Sequence, residues 1–325
     1  MKSMMILILL LSSGAGAERL CKFAPQNKVR VPVDAEFTNS EMNQAKFNEI
    51  LARFERIYPS IVSAKGGNLV VTKDWSNAEV NAYANQEGST WEIRMFGGMA
   101  RHRDNTNDGF TLVACHEMGH HLGGAPKYGG GWLSWQAGSW ASNEGQADYW
   151  GTLKCAHLIW AQDNNASIMS RKTIPQSVRS KCSESYPNSE AAALCMRSAL
   201  AGKVLGTVLA TLGGDSHPDF DTPDQSQVGR TQDAHPQAQC RLDTYYAGAV
   251  CAADVNVEVS DSDPNVGTCA EGNGSRPRCW FGSSSGGDGD GDGDGDGDGD
   301  GDGDGDGDGD GDGDGDEWPI KKKFY

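Results

Sequence analysis

The sequence predicts an α+β fold, in which a small sheet lies beside a central helix and the second half of the chain is mainly helical. Short runs rich in β-branched and aromatic residues fall between residues 68 and 96. Apolar residues at helical spacing precede these runs, and several helical segments follow them. Strands grouped in one part of a chain and helices in another are typical of an α+β domain.

The first predicted elements are one helix and three strands. Thr38 and Glu41 form a capping-box pattern at the start of the helix. Its apolar face is predicted to consist of Phe47, Ile50, Leu51, Phe54 and Ile57. The strands are predicted at residues 68–71, 79–84 and 91–96, where β-branched and aromatic side chains are frequent.

The central helix is predicted at residues 110–122, and it contains the pattern His-Glu-x-x-His. Residues four apart share a helix face, so His116 and His120 can bind one metal ion together. Glu117 then lies beside that ion, where an attacking water needs a base. This pattern indicates zinc-dependent hydrolysis, most often of peptide bonds.

The rest of the chain is predicted to be mostly helical. Glycines 123 and 124 are expected to end the central helix with a left-handed cap. A loop rich in glycine and tryptophan follows at residues 127–142. Further helices are predicted at residues 143–160, 189–212 and 235–251.

A third metal ligand is expected in the first of these later helices. Two histidines need one more protein ligand if zinc is to keep an open position for water. Glu144 follows His120 by 24 residues (144 − 120) and shares a helix face with Asp148. An acidic pair at this spacing is usually a solvated helix face, but its position after the histidine motif favours Glu144 as ligand of one Zn²⁺ per chain. Asp148 is expected to hold the outer N–H of His116, with Asn143 as a further supporting residue.

These motifs resemble the signature of the gluzincin metallopeptidases, His-Glu-x-x-His followed by Glu-x-x-x-Asp. The chain is most similar to the HtpX-like group, which includes soluble periplasmic BepA-like peptidases. The similarity extends over about residues 40–250. It includes the strands at 81–84 and 93–99, the run Glu-Gly-Gln-Ala-Asp-Tyr-Trp-Gly from Glu144, and His235-Pro236 followed by Arg241.

The resemblance implies a zincin-like catalytic domain at residues 18–282 with three candidate catalytic residues. Glu117 would act as general base, and His235 would donate to the developing oxyanion. Arg241 would orient or charge His235, although composition alone also allows His235 to be an ordinary residue at a helix start. The strand at residues 81–84 would be an edge strand that pairs with an extended peptide backbone.

The two ends of the chain differ in composition from this domain. Lys2, an apolar run at residues 4–11 and small residues up to Ala17 have the layout of a signal peptide, with an uncleaved membrane anchor as the alternative. No later segment is expected to span a membrane. Residues 283–316 consist of serine and a Gly-Asp repeat, and are expected to form a disordered linker. Residues 317–325 form an aromatic and basic tag, which either docks on a partner or an envelope surface or is an inert end.

Charge and cysteine content limit the class of protein and its compartment. The net charge of −17 includes fifteen aspartates of the repeat, so the rest of the chain carries −17 + 15 = −2 and shows no nucleic-acid-binding surface. Nine cysteines fit an oxidising compartment, with some reduced core cysteines as the alternative. Spacing favours the pairs Cys182–Cys195, Cys240–Cys251 and Cys269–Cys279, with Cys115–Cys155 joining the two metal-site helices and Cys21 as the ninth cysteine.

The sequence therefore predicts an exported zinc metalloendopeptidase that acts on a protein or peptide substrate. Its expected location is the periplasm, the outer-membrane surface or the medium of a Gram-negative bacterium. Two other hypotheses remain: a catalytically silent metal-binding chaperone, or a surface-interaction protein that displays the C-terminal tag.

Overall fold

Residues 20–36, 38–39, 41–129 and 139–282 are described by the computed structural model, and they lie in one compact unit. The predictions of a signal peptide at residues 1–17, a linker at 283–316 and a C-terminal tag at 317–325 concern residues outside these ranges.

The sheet has four strands in the order β1-β3-β4-β2. These are β1 (Cys21–Lys22), β2 (Asn68–Asp74), β3 (Ala82–Glu87) and β4 (Thr90–Phe96). Strand β4 is parallel to β2 and antiparallel to β3, and β1 is antiparallel to β3. The three predicted strands are confirmed with shifted ends. The short strand β1 was not predicted, and it covers the edge of β3 that was expected to stay open for a peptide.

Helix α1 (Gln44–Ala64) begins later than the capping-box pattern predicts. The side chain of Asn43 accepts a hydrogen bond from the Lys46 amide and caps the helix. Thr38 and Glu41 lie before it in a turn where the Glu41 amide donates to Asn39. The predicted apolar face is otherwise present, since four of its five residues are buried and Ile57 is half-buried.

Helix α2 (Gly97–Arg101) is short, and helix α3 (Asn107–Leu122) carries the histidine motif. Thr106 caps α3 by accepting a hydrogen bond from the Gly109 amide at 3.0 Å. Every residue from 109 to 122 is buried, because the sheet lies on one side of α3 and later helices lie on the other. Gly124, just beyond its end, has a φ of +71°, as predicted for a left-handed cap.

The second half is mainly helical, so the prediction of a mixed fold with a small sheet and several helices is confirmed. Helix α4 (Glu144–Trp150) continues through a π-helical segment (Gly151–Cys155) into α5 (Ala156–Ile159). The remaining helices are α6 (Asn165–Met169), α7 (Gln176–Ser185), α8 (Ser189–Gly213) and α9 (Ala238–Val250).

Helix α8 meets the length and composition of a membrane-spanning helix, with 25 residues and a hydropathy of 1.4. The sequence-based expectation did not single out this segment by its length and composition. In the fold, 78% of its most apolar stretch is buried. Core helices of folded domains pass the same test, so this is weak evidence for a membrane span.

Four disulfides crosslink the described residues, and two of the predicted pairs are correct. Cys182–Cys195 joins α7 to α8, and Cys115–Cys155 joins α3 to the π-helical segment. The other two predictions are wrong, because the bonds observed are Cys240–Cys279 and Cys251–Cys269. Cys21 is buried in β1.

Candidate metal centre

Helices α3 and α4 approach closely enough to bring distant polar residues together. A Cβ atom at Gly119 would lie 2.8 Å from the Cα and carbonyl oxygen of Ala147. Because glycine has no side chain, α4 packs directly on α3 at this point. The first turn of α4 therefore faces the histidine motif, and Glu144 is brought to it.

Three donor atoms converge at this contact. His116 Nε2 lies 3.1 Å from His120 Nε2 and 3.2 Å from Glu144 Oε2, and His120 Nε2 lies 3.8 Å from Glu144 Oε1. Tetrahedral zinc with bonds of about 2.0–2.1 Å has ligand atoms about 3.3 Å apart. The side chains are at most 1% exposed. These three residues can therefore hold a metal ion.

The outer nitrogens of both histidines are held by the protein. His116 Nδ1 lies 2.6 Å from Asp148 Oδ1, the contact expected for Asp148. His120 Nδ1 lies 2.8 Å from the backbone carbonyl of Ser142. Because a carbonyl or carboxylate oxygen accepts, each Nδ1 donates and each Nε2 is directed at the shared point.

Asp148 is held in turn by a buried arginine. Arg241 donates to both oxygens of Asp148 at 2.6 and 2.7 Å, to the Phe23 carbonyl at 2.6 Å and to the Tyr245 hydroxyl at 3.2 Å. The pair is almost fully buried, at 1% and 0% exposure. Two charges without solvent stay ionised only with such mutual contacts, so Arg241 fixes Asp148 behind His116.

Asn143 supports the centre through the backbone rather than through a ligand side chain. Its side-chain oxygen accepts from the Gln146 amide at 3.0 Å and caps α4, and its amide group donates to the Gln232 carbonyl. It thereby sets the position of the helix turn that carries Glu144.

The pKa values of His116, His120 and Glu144 indicate which of these side chains carry a charge. Burial lowers the pKa of His120 to about 4. Burial opposes protonation of His116 as well, but Asp148 raises its pKa to about 9. Burial also opposes ionisation of Glu144, yet His120 and His116 hold its pKa well below the usual range. Binding a metal ion here would therefore require His116 to release a proton.

Glu117 is buried beside the cluster without a hydrogen-bond partner among the described residues. Burial raises the pKa of its carboxyl group to about 8. Glu144 Oε2 is likewise buried and without a hydrogen bond within the described part of the chain. Buried polar atoms are normally satisfied, so these oxygens fit a site that binds a metal ion and a water molecule.

His235 lies at the rim of the cluster, and no hydrogen bond within the described residues joins it to Arg241. His235 Nε2 is 3.4 Å from Glu144 Oε2 and donates to the Lys22 carbonyl at 2.7 Å. Burial lowers the pKa of His235, and the positive charge of Arg241 adds to that effect. Arg241 therefore favours a neutral His235 and does not charge it; its hydrogen bonds go to Asp148 and its neighbours.

Three contributors to the cluster were not found from the sequence. Tyr128 donates to Glu144 Oε1 at 2.5 Å. The Ser142 carbonyl holds His120, and the ring of Phe23 packs edge-on against His116 with centroids 5.2 Å apart. Tyr128 lies in an irregular loop, a backbone carbonyl carries no sequence signal, and β1 is too short for a strand pattern.

Comparison with known proteins adds nothing to this geometry. No family model matches the chain, and neither a curated protein nor a solved structure matches it.

Proposed function

We propose that this protein is an exported zinc-dependent metalloendopeptidase with a gluzincin-type, zincin-like catalytic domain. The observation that carries the proposal is the convergence of two imidazoles and a carboxylate on one buried point beside Glu117. Two nitrogen donors and one oxygen donor are a ligand set of catalytic zinc sites that keep one position open. His-Glu-x-x-His and Glu-x-x-x-Asp supply these groups at the spacing of that family.

The chemistry follows from the placement of the side chains. Zn²⁺ held by His116, His120 and Glu144 would supply Lewis acidity towards water and the scissile carbonyl. Glu117 takes a proton from the attacking water and delivers it to the leaving amine, so that one water and one peptide bond become a carboxylate and an amine. His235 donates its Nε2 proton to the carbonyl oxygen on which negative charge develops.

The disulfides agree with the proposed location. Four crosslinks within the described residues fit an oxidising, exported environment. In that compartment the substrate would be a protein or peptide, and no role in binding nucleic acid is proposed. The C-terminal tag remains a candidate for docking on an envelope surface.

Removal of the base is the first test. We expect Glu117→Gln to reduce cleavage of an unfolded protein by about 10²- to 10⁴-fold, because general acid–base catalysis contributes on this scale. Metal content, measured by mass spectrometry of the purified protein, should stay near one zinc per chain. Glu87→Gln, at an exposed end of β3, is the matched control and should keep full activity. Equal cleavage by wild type and Glu117→Gln would refute the peptidase and leave a silent metal-binding protein.

Removal of the proposed oxyanion donor is the second test. We expect His235→Ala to lower kcat by about 100-fold, the loss typical of one such donor. The exposed His217→Ala is the matched control, with activity unchanged. Full activity of His235→Ala would exclude His235 from the reaction.

A further inference from the structure

Strand β1 completes the sheet by using the edge of β3. Cys21 lies opposite Ala84 and Lys22 opposite Tyr83, and the pairing is antiparallel. The Phe23 amide then donates to the Ala82 carbonyl at 3.1 Å. The edge of β3 at residues 82–84 is thus paired with the chain's own residues 21–23.

The side chain of Asn81 extends this ladder by one residue. Its oxygen accepts from the Ala24 amide and its amide group donates to the Ala24 carbonyl, both at 3.1 Å. The Asn81 side chain therefore pairs with the backbone of Ala24 through both groups, as a residue of a neighbouring strand would. The main chain of residues 21–24 pairs with β3 and Asn81 as the main chain of an extended bound peptide would, and the buried side chain of Phe23 adds further contacts.

The same four residues cross the candidate metal centre. The Lys22 carbonyl accepts from His235 Nε2, the atom that also lies 3.4 Å from Glu144 Oε2. The ring of Phe23 packs edge-on against His116, and the Arg241 guanidinium lies over the Phe23 ring, 4.7 Å from its centroid. A backbone carbonyl thus meets the proposed oxyanion donor, and an aromatic side chain lies against a proposed metal ligand.

We propose that residues 21–24 are an internal pseudosubstrate, which occupies the place of an extended peptide on β3 and keeps the metal centre closed until the segment leaves. That the segment takes the place of a peptide substrate rests on the proposed function. The occupancy itself rests on the hydrogen bonds of β1, on His235 and on Phe23.

The connection after β1 allows the segment to leave without unfolding the domain. Pro25, Gln26 and Lys28 are exposed, and a cavity of about 370 Å³ lies against residues 25–27 and His235. The chain is anchored again at Asn27, whose side-chain amide donates to the Val80 carbonyl at 3.2 Å, and at Val31, whose amide donates to the Ala78 carbonyl at 2.8 Å. Residues 21–24 can thus separate from β3 while the contacts from Val31 onward are kept. Phe23 is fully buried, so the closed state is the dominant one.

The test measures binding rather than cleavage. In a Glu117→Gln background, which removes turnover, the probe is a fluorescent copy of residues 19–25 with serine in place of Cys21. Fluorescence anisotropy gives its Kd. We expect Phe23→Ala to tighten binding by about tenfold or more, because apparent affinity scales with the fraction of molecules whose edge is open. The matched control is Phe54→Ala, which removes an equally buried ring from α1.

Each outcome decides the proposal. Tighter binding in Phe23→Ala and unchanged binding in Phe54→Ala support the pseudosubstrate. Unchanged binding in Phe23→Ala overturns it, and so does an equal gain in Phe54→Ala, because general loosening would then be the cause. With Glu117 restored, an opened protein that binds the copy but cuts no peptide would refute the peptidase and leave the occupancy intact.

A second variant covers the case in which Phe23→Ala does not fold. A recognition sequence for a specific protease replaces residues 25–30, and the folded protein is cut there. We expect the released segment to dissociate on dilution, and the fluorescent copy to bind about tenfold or more tightly than before cutting. If the copy binds no better after cutting and dilution, the segment is an ordinary strand and the proposal fails.

Discussion

The helix pair α3–α4 and the helix pair α8–α9 both lie in the interior but are built in different ways. Helices α3 and α4 bury His116, Glu117 and Asp148 at no exposure. Helix α8 buries mainly alanine, leucine and glycine, and its Gly202 packs against Tyr245 of α9. The stability of a buried polar helix pair depends on a hydrogen-bond or ionic partner for each polar group. The stability of an apolar helix pair depends on close packing of its side chains. Single substitutions should therefore have different effects on stability and metal affinity in the two pairs.

The largest expected effect comes from Asp148→Asn. It leaves Arg241 buried beside a neutral group, which should lower the free energy of unfolding by about 3–5 kcal/mol. It also weakens the support of His116, which should lower metal affinity about 10- to 100-fold. Chemical denaturation and competition with a zinc chelator measure the two effects.

A cavity in the apolar pair sharpens this contrast. Leu205 is fully buried in α8, and Leu205→Ala should cost about 2–5 kcal/mol of stability while metal affinity stays unchanged. If Asp148→Asn also changes stability alone, Asp148 has only a structural role, and the distinction between the two pairs is lost.

The next effect concerns the contact between α3 and α4. Gly119→Ala would place a Cβ atom 2.8 Å from the backbone of Ala147, so the helices must separate. We expect a loss of about 1–3 kcal/mol in unfolding free energy and weaker metal binding, because Glu144 moves with α4. In Gly213→Ala, at the exposed end of α8, the nearest atom belongs to the side chain of Asp215, and stability should change by less than about 0.5 kcal/mol. Equal effects in both variants would show that the approach of α4 has no special importance.

The smallest effect tests a polar group that joins the apolar pair to α1. Asp163 accepts from Arg197 at 2.7 Å and from Arg53 at 3.0 Å. Burial alone would raise the pKa of Asp163, but these two arginines hold it below its ordinary value. Because the folded pKa is depressed, the stabilisation is present above the unfolded pKa of about 3.9 and disappears as pH falls through the folded value.

We therefore expect Asp163→Asn to cost about 1–2 kcal/mol at pH 7. The difference from wild type should shrink below about pH 4, as followed by thermal unfolding across pH. Asp34→Asn, at an exposed turn, should show no difference at any pH. A cost for Asp163→Asn that is constant down to pH 2 would contradict an ionic origin.

The parts of the site that were predictable follow from helix periodicity. His116, His120, Glu144 and Asp148 were placed together because residues four apart share a face, and one histidine pair needs a third ligand. The position of β1 was not predictable, since two residues carry no alternating pattern. Contacts from the Ser142 carbonyl and from Tyr128 depend on how the loop after α3 returns, which no local pattern specifies.

The errors have physical reasons as well. Cys240 and Cys251 lie near the two ends of α9, and eleven helical residues rise about 16 Å, whereas a disulfide requires Cα atoms about 4.4–6.8 Å apart. The predicted helix at residues 235–251 already excluded that pair. The capping box at Thr38 failed because Asn43, closer to the apolar face, offers a better-placed oxygen.

The Cys115–Cys155 bond has one more consequence for the candidate centre. His116, Glu117, His120, Glu144 and Asp148 all lie between these two cysteines, inside a covalent ring with a sequence separation of 40. Closing a ring of that size removes about 4 kcal/mol of chain entropy from the denatured ensemble. An oxidised chain that loses its tertiary structure therefore keeps the side chains of the candidate centre within one covalent loop, which limits how far apart they can move before the chain refolds.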